Sequence, residues 1–346
     1  MKPIKVILTC AGGLESVGKI ESLKSVKERK VTVVGTDMDK DTPGSHVADK
    51  FYTVPSGDSP DYIDAMLRIA KKEGVDVILP ASQNEIISLS KNKALFEKIG
   101  TAVACSSHES IAASSDKGLL YEFLKKRGLP YPKFYNVNSI DEFKHAVAKL
   151  GYPAKQVVMK PRLTSGSRGF RIIKSGVDEK ELLLGHKPAD NVYADMPELE
   201  RILGSGKFPG LVVSEYLPGK EYSIDVLARN GESLIIVPRV RDRVMHGISI
   251  AGTVEKNAEV EAVVKPIVKA FGFDYNVNVQ LKGSDDGRLL PYEINPRISG
   301  TIAAATGAGA NLIYFGAKLA LKEEIPKVSV KYGTKMIRYW REMYTR

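Results

Sequence analysis

Two strand-like runs near the carboxyl end, NVNVQLK at 276–282 and LLPYEI at 289–294, constrain the fold more than any other part of the chain. Both runs alternate or continue apolar residues, and the turn-rich residues 282–287 separate them. Gly, Ser and Asp clusters between two such runs are typical of a hairpin loop. The sequence therefore predicts a β-hairpin here.

Four polar side chains lie on or just beyond this hairpin, namely Gln280, Glu293, Asn295 and Arg297. Gln280 and Glu293 can face each other, and Asn295 lies on the same side as Glu293 because side chains alternate along a strand. Amide and carboxylate oxygens beside an arginine suit Mg²⁺ that is shared with phosphate. We therefore expect a divalent-metal site, and a solvated hairpin with incidental polar residues is the alternative.

The upstream segment VVMKPRLTSGSRGF has a strand-like run that ends at Lys160 and continues into a Gly- and Ser-rich stretch. Gly166 and Ser167 lie in that stretch, and arginines flank it. Backbone N–H groups and cations in such a loop suit a polyphosphate. Taken alone, the segment is also compatible with an ordinary loop between strands.

A further strand-like segment, LVVSEYLPGKEYSIDV, carries Glu215, reaches Leu217, breaks at Pro218 and Gly219, and resumes with Glu221. The Glu215 carboxylate can accept a hydrogen bond from an exocyclic amine, and the backbone around Leu217 can pair with a purine edge. A plain strand connection is the alternative for this segment alone. The order and spacing of the segments together are more specific than any one of them.

Preceded by Asp116 and Lys117 in SSDKGLLYEFLKKRGLPYP, these segments resemble the ATP-grasp superfamily, most closely one synthetase unit of the carbamoyl-phosphate synthase large subunit. The resemblance covers nearly the whole chain and implies binding of ATP with Mg²⁺, or with Mn²⁺ in place of Mg²⁺. It implies phosphate contacts for Lys117 and Lys160, a closing loop at Gly166 and Ser167, adenine contacts for Glu215 and Leu217, a ribose contact for Glu221, metal ligation by Gln280, Glu293 and Asn295, and a contact between Arg297 and the transferring phosphoryl group.

The chain departs from the synthase pattern in two ways. The synthase loop is richer in glycine where this chain has Arg168, Phe170 and Arg171, and the synthase contains two such units plus further domains. A single unit of 346 residues is therefore expected to be a relative of the synthase and not a complete synthase.

The resemblance implies an ATP-dependent ligase that activates a carboxylate as an acyl phosphate, releases ADP, and lets an amine or another nucleophile displace the phosphate. Phosphorylation of bicarbonate or carbamate is one alternative, which the missing second unit disfavours. A non-catalytic ATP-binding regulator is the other, although adenine binding alone would not require the full set of metal ligands.

Residues 1–113 alternate strand-like and helix-like segments, which predicts an open parallel sheet of mononucleotide-binding type. The turn AGGLESVGKI has P-loop spacing, but Ile20 stands where Ser or Thr must ligate Mg²⁺. Ligands bind beyond the carboxyl ends of the strands in open sheets. Residues 11–14, Asp37 and residues 82–85 are therefore expected to form a small-molecule shelf, with ordinary helix capping as the alternative. The resemblance implies that such a shelf holds the non-nucleotide substrate.

The predicted fold class is α/β, with an open parallel-sheet domain of Rossmann-like, pre-ATP-grasp type followed by an α+β ATP-grasp domain of two subdomains. The expected boundaries are 1–113 for the first domain, 114–210 for the subdomain with the phosphate loop, and 211–346 for the subdomain with the metal site and the tail. Residues 186–210 contain three prolines and are expected to form an irregular connection.

The formal net charge is +10, from 51 basic and 41 acidic residues. The basic residues are scattered, so a solvated surface explains most of this charge. The tail at 328–346 combines basic and aromatic residues, which is compatible with a nucleic-acid patch, but a closing strand and helix is the preferred interpretation. We therefore expect no nucleic-acid partner, and the resemblance implies small-molecule carboxylate and amine substrates.

Cys10 and Cys105 each follow a short apolar run and are expected to be buried thiols in a reducing compartment. No window approaches the ~18 uninterrupted apolar residues of a membrane helix. We expect a cytoplasmic protein without membrane insertion, and a homodimer is left open. Among the histidines, only His246, close to Arg239 and Arg243 in the sequence, is expected near the chemistry.

Overall fold

The structure is a computed structural model that describes residues 1–163, 168–178, 180, 184, 192–245 and 247–345. The chain divides into two compact units. The first unit consists of Met1–Ser115, Glu221–Leu281 and Glu293–Arg346, and the second consists of Asp116–Lys220 and Lys282–Tyr292. Neither unit is continuous in the chain, and the three consecutive domains expected from the sequence stay a prediction.

The helices and strands with defined bounds among the described residues are numbered here in chain order. The helices are α1 (Ser16–Lys24), α2 (Pro43–Val47), α3 (Tyr62–Glu73), α4 (Gln83–Lys91), α5 (Lys93–Glu97), α6 (His108–Ser115), α7 (Lys117–Lys126), α8 (Ile140–Lys149), α9 (Met196–Leu203), α10 (Ala258–Phe271), α11 (Ala303–Gly307) and α12 (Leu312–Ala320). The strands are β1 (Ile4–Leu8), β2 (Val31–Asp37), β3 (Lys50–Thr53), β4 (Val77–Leu79), β5 (Ala102–Val103), β6 (Phe134–Val137), β7 (Val157–Pro161), β8 (Arg171–Ile173), β9 (Tyr193–Ala194), β10 (Leu211–Glu215), β11 (Glu221–Arg229), β12 (Glu232–Met245), β13 (Ile248–Val254), β14 (Tyr275–Gly283), β15 (Leu289–Asn295) and β16 (Lys335–Ile337).

The first unit begins with a parallel sheet in the strand order β3-β2-β1-β4-β5. Val6 and Leu8 of β1 pack in one core cluster with Ile20 of α1, whereas Ile7 packs in another with Met66 of α3. Alternate residues of one strand therefore enter two different cores. This sheet is covered by helices on both faces, as parallel sheets require, and it is the open parallel sheet predicted from the sequence.

A second sheet has the strand order β15-β14-β11-β12-β13-β16. The strands β14 and β15 are neighbours in it, which confirms the predicted hairpin, although residues 282–292 at the hairpin tip group with the second unit. Helix α12 packs against both β4 and β11 of the first unit, and its apolar residues, such as Leu312, Phe315 and Leu319, are buried. This helix therefore fixes the two sheets of the first unit against each other.

The second unit contains a sheet in the order β6-β10-β7-β8-β9, mostly antiparallel. Val157 and Val213 of this sheet pack in one cluster with Phe143 of α8 and Leu199 of α9. Strand β7 belongs to this packed sheet and ends at Pro161, so Lys160 lies at the end of the strand.

Two secondary-structure expectations are wrong. Residues 196–203, within the stretch expected to be irregular, form α9, because the Asp195 side chain accepts from Glu198 N at 2.9 Å and a proline occupies the first turn, where no N–H partner is needed. Residues 186–191 lie outside the described residues. The tail contains β16, but the structure shows no helix in the described residues 338–345.

Gly219 is expected to tolerate no side chain. A Cβ on Gly219 would lie 2.8 Å from Gly283 Cα and 2.9 Å from Gly283 O, in the second unit. The two backbones are held by hydrogen bonds from Gly219 N to Gly283 O at 2.9 Å and from Gly283 N to Lys220 O at 3.1 Å. The substitution Gly219→Ala should therefore lower the free energy of unfolding by about 1–3 kcal/mol, measured by urea denaturation. Gly307→Ala, where a Cβ meets nothing within 4 Å, is the control, and equal effects of the two changes would contradict the prediction.

Candidate active site

The predicted metal ligands lie on one hairpin. Gln280 is on β14, and Glu293 and Asn295 are two residues apart on β15. The Gln280 amide donates from Nε2 to Asn278 Oδ1 at 3.3 Å, and Asn295 is 3% exposed. One carboxylate and two amides therefore lie on adjacent strands, with at least two of these side chains held in place by their neighbours.

This set of donors fits Mg²⁺ only when the ion also binds phosphate. In the described part of the chain, no group of three or more His, Cys, Asp or Glu side chains could hold a metal ion. Mg²⁺ is often held by one or two carboxylates together with waters and substrate phosphates. Glu293, supported by the amide oxygens of Gln280 and Asn295, suits a metal that binds together with phosphate.

The guanidinium of Arg297 is held beside these ligands. It donates from Nη1 to Ile298 O at 2.8 Å and from Nη2 to Asn295 Oδ1 at 3.1 Å, while its Nε is buried without a hydrogen-bond partner. Burial lowers the pKa of Arg297, and the carboxylate of Glu293 opposes that shift. Arg297 therefore offers an oriented, partly unsatisfied cation to an anion.

A buried polar network supports the hairpin from β11 and β12. Arg239, only 1% exposed, donates from Nη2 to Ser223 Oγ at 3.2 Å and to Asp225 Oδ2 at 3.3 Å, and it also reaches Thr301 Oγ1. Asn278 Nδ2 donates to Ser223 Oγ and to Asp225 Oδ1, both at 3.0 Å. The sequence alone assigns no role to Arg239. The alternation of Glu221, Ser223 and Asp225 is the pattern that indicates a polar face on this strand.

Glu221, expected near a ribose, forms an ion pair with Arg241. Arg241 also donates from Nε to Ser249 Oγ at 2.9 Å and from Nη2 to Gly247 O at 2.6 Å. The carboxylate is therefore oriented by a cation, and its ribose contact stays a prediction. His246 lies outside the described residues.

In the second unit, Asp116 fixes the start of α7. Its side chain accepts from the backbone N–H of Gly118 at 2.8 Å and of Leu119 at 3.0 Å, and it forms an ion pair with Arg162 at 2.9 Å. This cap sets the position of Lys117, the first residue of α7, which is 9% exposed. A carboxylate between a helix N-terminus and an arginine explains why Asp and Lys are adjacent in this motif.

Lys160, at the end of β7, lies among aromatic rings of its own unit. Its ammonium is 4.9 Å from the ring centroid of Tyr292 and 5.8 Å from that of Phe170. The carbonyl of Tyr292 accepts from Tyr121 Oη at 3.0 Å, which ties α7 to the hairpin tip. Cation–π contacts at these distances orient the ammonium of Lys160, and its phosphate contact stays a prediction. No pattern in the sequence indicates these aromatic partners.

The structure describes two of the remaining residues that were expected to contact the nucleotide, Glu215 and Leu217. Glu215 accepts from Lys133 N at 2.7 Å through Oε1, and Leu217 is 6% exposed beyond the end of β10. Gly166 and Ser167 lie outside the described residues. The adenine contacts of Glu215 and Leu217 and the closing loop therefore stay predictions.

The shelf expected in the parallel-sheet region is a set of acidic side chains at the carboxyl ends of the strands. Asp37 Oδ2 accepts from Gly12 N at 2.8 Å, and Glu85 Oε2 accepts from Thr9 Oγ1 at 2.7 Å. The Ser82 backbone is extended and precedes α4, but its side chain does not cap that helix. The two carboxylates are thus held in place by the loop after β1 and by Thr9.

Glu85 should make the stability of the protein depend on pH. Burial raises its pKa to about 7 from its ordinary value of 4.5; the hydrogen bond from the Thr9 hydroxyl opposes this shift and the charge of Asp37 adds to it. The folded state then binds the extra proton, so stability is full below about pH 4.5 and is lost as pH rises through about 7. Between pH 5 and pH 8, Glu85→Gln should gain on the order of 2–3 kcal/mol relative to the unchanged protein, measured by urea unfolding. The exposed Glu109→Gln is the control, and parallel pH profiles for Glu85→Gln and the unchanged protein would refute this prediction.

Comparisons with known proteins show which families and folds this chain is similar to. A family model described as "ATP-grasp in the biosynthetic pathway with Ter operon" matches residues 207–341, and one described as "PylC-like, N-terminal domain" matches residues 7–104. The carbamoyl phosphate synthase large chain of Methanobrevibacter smithii is 26% identical over 92% of this chain and 30% of that protein. The N-terminal section of the Aquifex aeolicus large chain is 25% identical over 92% of this chain and 58% of that protein. This chain spans about a quarter to a third of the full-length synthases.

Solved structures show the same fold. N5-carboxyaminoimidazole synthetase from Staphylococcus aureus complexed with ADP matches with a TM-score of 0.69 at 17% identity, over 95% of this chain and 80% of that one. The biotin carboxylase domain of Hydrogenobacter thermophilus 2-oxoglutarate carboxylase, solved with MgADP and bicarbonate, matches with a TM-score of 0.65 at 19% identity, over 95% of this chain and 72% of that one.

The family-model match at residues 207–341 and the shared fold confirm the predicted fold class and the predicted resemblance to ATP-grasp enzymes. The chain combines a region that matches an ATP-grasp family model with an N-terminal region that matches a PylC-like model, and it is homologous to carbamoyl phosphate synthase large chains. No helix in the described residues is long and apolar enough to cross a membrane.

Proposed function

We propose that this chain is an ATP- and Mg²⁺-dependent ligase that joins a small carboxylic acid to an amine or another nucleophile through an acyl phosphate, with release of ADP and phosphate. Mn²⁺ would substitute for Mg²⁺ at the same oxygen ligands. The homology to carbamoyl phosphate synthase large chains supports this class of reaction.

One observation carries the proposal. Asn295 Oδ1 accepts from Arg297, and Glu293, Asn295 and Gln280 lie on neighbouring strands of one hairpin. A protein that only binds adenine gains nothing from a guanidinium held beside metal-type ligands, whereas phosphoryl transfer depends on charges placed around the moving group. The arrangement therefore favours catalysis over regulation by nucleotide binding.

The chain's residues would act by positioning and by charge. Lys117 and Lys160 bind phosphate oxygens, and Arg297 contacts the phosphoryl group in transfer; bound Mg²⁺ would supply further charge neutralisation. A carboxylate oxygen of the acid forms a bond to the γ-phosphorus, and the bond from that phosphorus to the bridging oxygen breaks. ADP takes the electron pair, and the nucleophile later displaces phosphate from the acyl carbon. No protein nucleophile takes part.

Phosphorylation of bicarbonate is the second candidate. It is favoured by the homology to carbamoyl phosphate synthase and by the bicarbonate bound in the biotin carboxylase structure that shares this fold. A single ATP-grasp unit would then form carboxyphosphate, and the nucleophile would attack that intermediate.

A trapping experiment tests the proposal. The full chain with Mg-ATP, hydroxylamine and a panel of small carboxylic acids should yield a hydroxamate and ADP, not AMP, with one or a few of the acids. ADP formation with bicarbonate alone would favour the second candidate. Nucleotide binding without product from any acid, or from bicarbonate, would indicate the regulator.

Assembly and location are subsidiary proposals. The biotin carboxylase domain of Hydrogenobacter thermophilus is described as a dimer, and a homodimer of this chain is proposed on that likeness. Light scattering on the purified chain distinguishes a dimer from a monomer. Cys10 and Cys105 are free thiols, which supports a reducing compartment such as the cytoplasm.

A further inference from the structure

Strand β16 forms an open edge of the six-stranded sheet in the first unit. It pairs with β13 on one side, and no strand of the described chain pairs with its other side. Arg338 N donates to Ile250 O at 2.8 Å, and Thr334 O accepts from Val254 N at 2.9 Å. Backbone groups alternate in direction along an antiparallel strand, so those of even-numbered residues point toward β13 and those of odd-numbered residues point outward. The outward N–H and C=O groups can therefore pair with another strand.

The residues on and after β16 expose a large apolar surface. Five large side chains contribute to it, namely Ile337 (61% exposed), Tyr339 (79%), Trp340 (71%), Met343 (49%) and Tyr344 (92%). Residues 339–345 form no backbone hydrogen bond with other described residues. Since an aromatic side chain offers ~150–250 Å², the five together offer roughly 700 Å², close to the ~800 Å² that each partner contributes to a standard interface. A patch of this size indicates an interaction site.

Trp340 is exposed on a face of the segment that is otherwise partly covered. Met336 and Arg338 are partly buried, whereas Ile337 between them is exposed. Trp340 follows Arg338 on the same face by the two-residue period of a strand, yet it is 71% exposed. Arg338 donates to Gly300 O, which anchors the chain just before Trp340. The described chain therefore anchors the residue before Trp340 but leaves Trp340 itself uncovered.

This segment is complementary to a second copy of itself. In a two-fold antiparallel pair, the outward, odd-numbered residues of one copy must face odd-numbered residues of the other. An axis at Trp340 meets this condition and creates four pairs, namely Trp340 with Trp340, Tyr339 with Arg341, Arg338 with Glu342, and Ile337 with Met343. These are an aromatic pair, a cation–π pair, an ion pair and an apolar pair, all of which stabilise neighbouring strands. An axis at Arg341 would instead place two guanidinium groups opposite each other, which is destabilising.

We infer that β16 and residues 338–345 bind a second copy of this chain by antiparallel two-fold pairing centred on Trp340, which joins the six-stranded sheets of the two copies. The pairing satisfies the outward backbone groups and covers Trp340 in both copies. An anionic membrane or a nucleic acid would attract the arginines, but it would repel Glu342 and leave the backbone edge unpaired. The inference goes beyond the proposed ligase function and does not depend on it. It also assigns an interface, which the likeness to a dimeric biotin carboxylase does not.

The oligomeric state of the full chain tests the inference. Sedimentation velocity should show a dimer at about 50 μM, as expected for a dissociation constant in the micromolar range or below. Trp340→Glu should raise the dissociation constant of the dimer by about 100-fold or more, because it removes a central aromatic contact and places two carboxylates opposite each other. Leu95→Glu is the matched control, since Leu95 is a 40% exposed apolar residue on α5 of the same unit, and it should leave the constant unchanged. A thermal melt checks that both variants are folded.

Cross-linking tests the register independently of these variants. Trp340→Cys should form a disulfide between two copies in oxidised glutathione, because directly opposed residues of a non-hydrogen-bonded pair have Cα atoms about 4.5 Å apart, within the range for a disulfide. Tyr332→Cys is the control, since Tyr332 is 42% exposed but precedes the paired segment, and it should cross-link much more slowly. The unchanged protein, which contains Cys10 and Cys105, gives the background.

The inference is overturned by a monomer at about 50 μM. It is equally overturned by a dimer that Trp340→Glu does not weaken, or by a dimer in which Trp340→Cys cross-links no faster than Tyr332→Cys. A monomer that binds anionic vesicles or single-stranded nucleic acid, and loses this binding in Trp340→Glu, would replace the second copy with an anionic partner. A dimer that persists in Trp340→Glu would leave the proposed homodimer intact with another interface. None of these measurements involves ADP release, so their failure would not affect the ligase proposal.

Discussion

Glu293→Ala should lower the Mg-ATP-dependent turnover of the protein by about 100-fold or more, because a metal ligand that also orients phosphate acts mainly on the transition state. Glu293 is a partly exposed residue near the end of β15, so the fold should be preserved. The measurement is ADP release at saturating acid and nucleotide, together with a thermal melt of the variant.

Asp285→Asn is the matched control, since Asp285 is an exposed carboxylate at the tip of the same hairpin. It should leave turnover within about twofold, because surface charges away from a site contribute little. Ordinary ADP release by Glu293→Ala at ordinary Mg²⁺ concentrations would remove Glu293 from the metal site. An equal loss in both variants would indicate a general effect of charge on the hairpin.

Asp225→Ala should destabilise the protein by about 3–5 kcal/mol, because it leaves Arg239 buried without its counter-charge. Arg239 and Asp225 are both nearly inaccessible, at 1% and 2% exposure, and Asp225 also accepts from Asn278. Urea unfolding at neutral pH measures the loss.

The double variant Asp225→Ala/Arg239→Met separates charge from packing. It should recover a large part of the lost stability, because an apolar side chain of similar length needs no counter-charge. It should remain poorly active, since Asn278 and the hairpin lose their polar support. A loss below about 1 kcal/mol in Asp225→Ala alone would show that Arg239 finds another partner.

Local sequence patterns predict those parts of the fold that are formed by residues close together in the chain. The hairpin was readable from two apolar runs around Gly283 and Gly287, and the parallel sheet from the alternation of strands and helices in residues 1–113. Helix α10 contains Pro266, and its apolar period persists through the proline. These features are set by side-chain periodicity and turn chemistry, which a single sequence displays.

Contacts between distant residues were not readable in this way. The contact of Lys160 with Tyr292 joins positions far apart in the chain, and the ion pair of Arg239 with Asp225 needs the register of β11 and β12. Three prolines in residues 186–210 favour an irregular segment, and the helix-capping residue Asp195 alone does not predict helix α9. The period-two polar run on β11 was visible, but only its pairing with Arg239 explains why it is buried.

The proposed oxygen ligands on β14 and β15 also bear on which metals this protein would bind. Soft and borderline metals such as zinc and copper are captured by thiolates and imidazoles, and the hairpin offers amide oxygens and the single carboxylate of Glu293. Such a set disfavours metals that prefer sulfur or nitrogen ligands. The metal that binds is then the one already bound to the incoming nucleotide. On the proposed function, magnesium would then enter the site already bound to ATP.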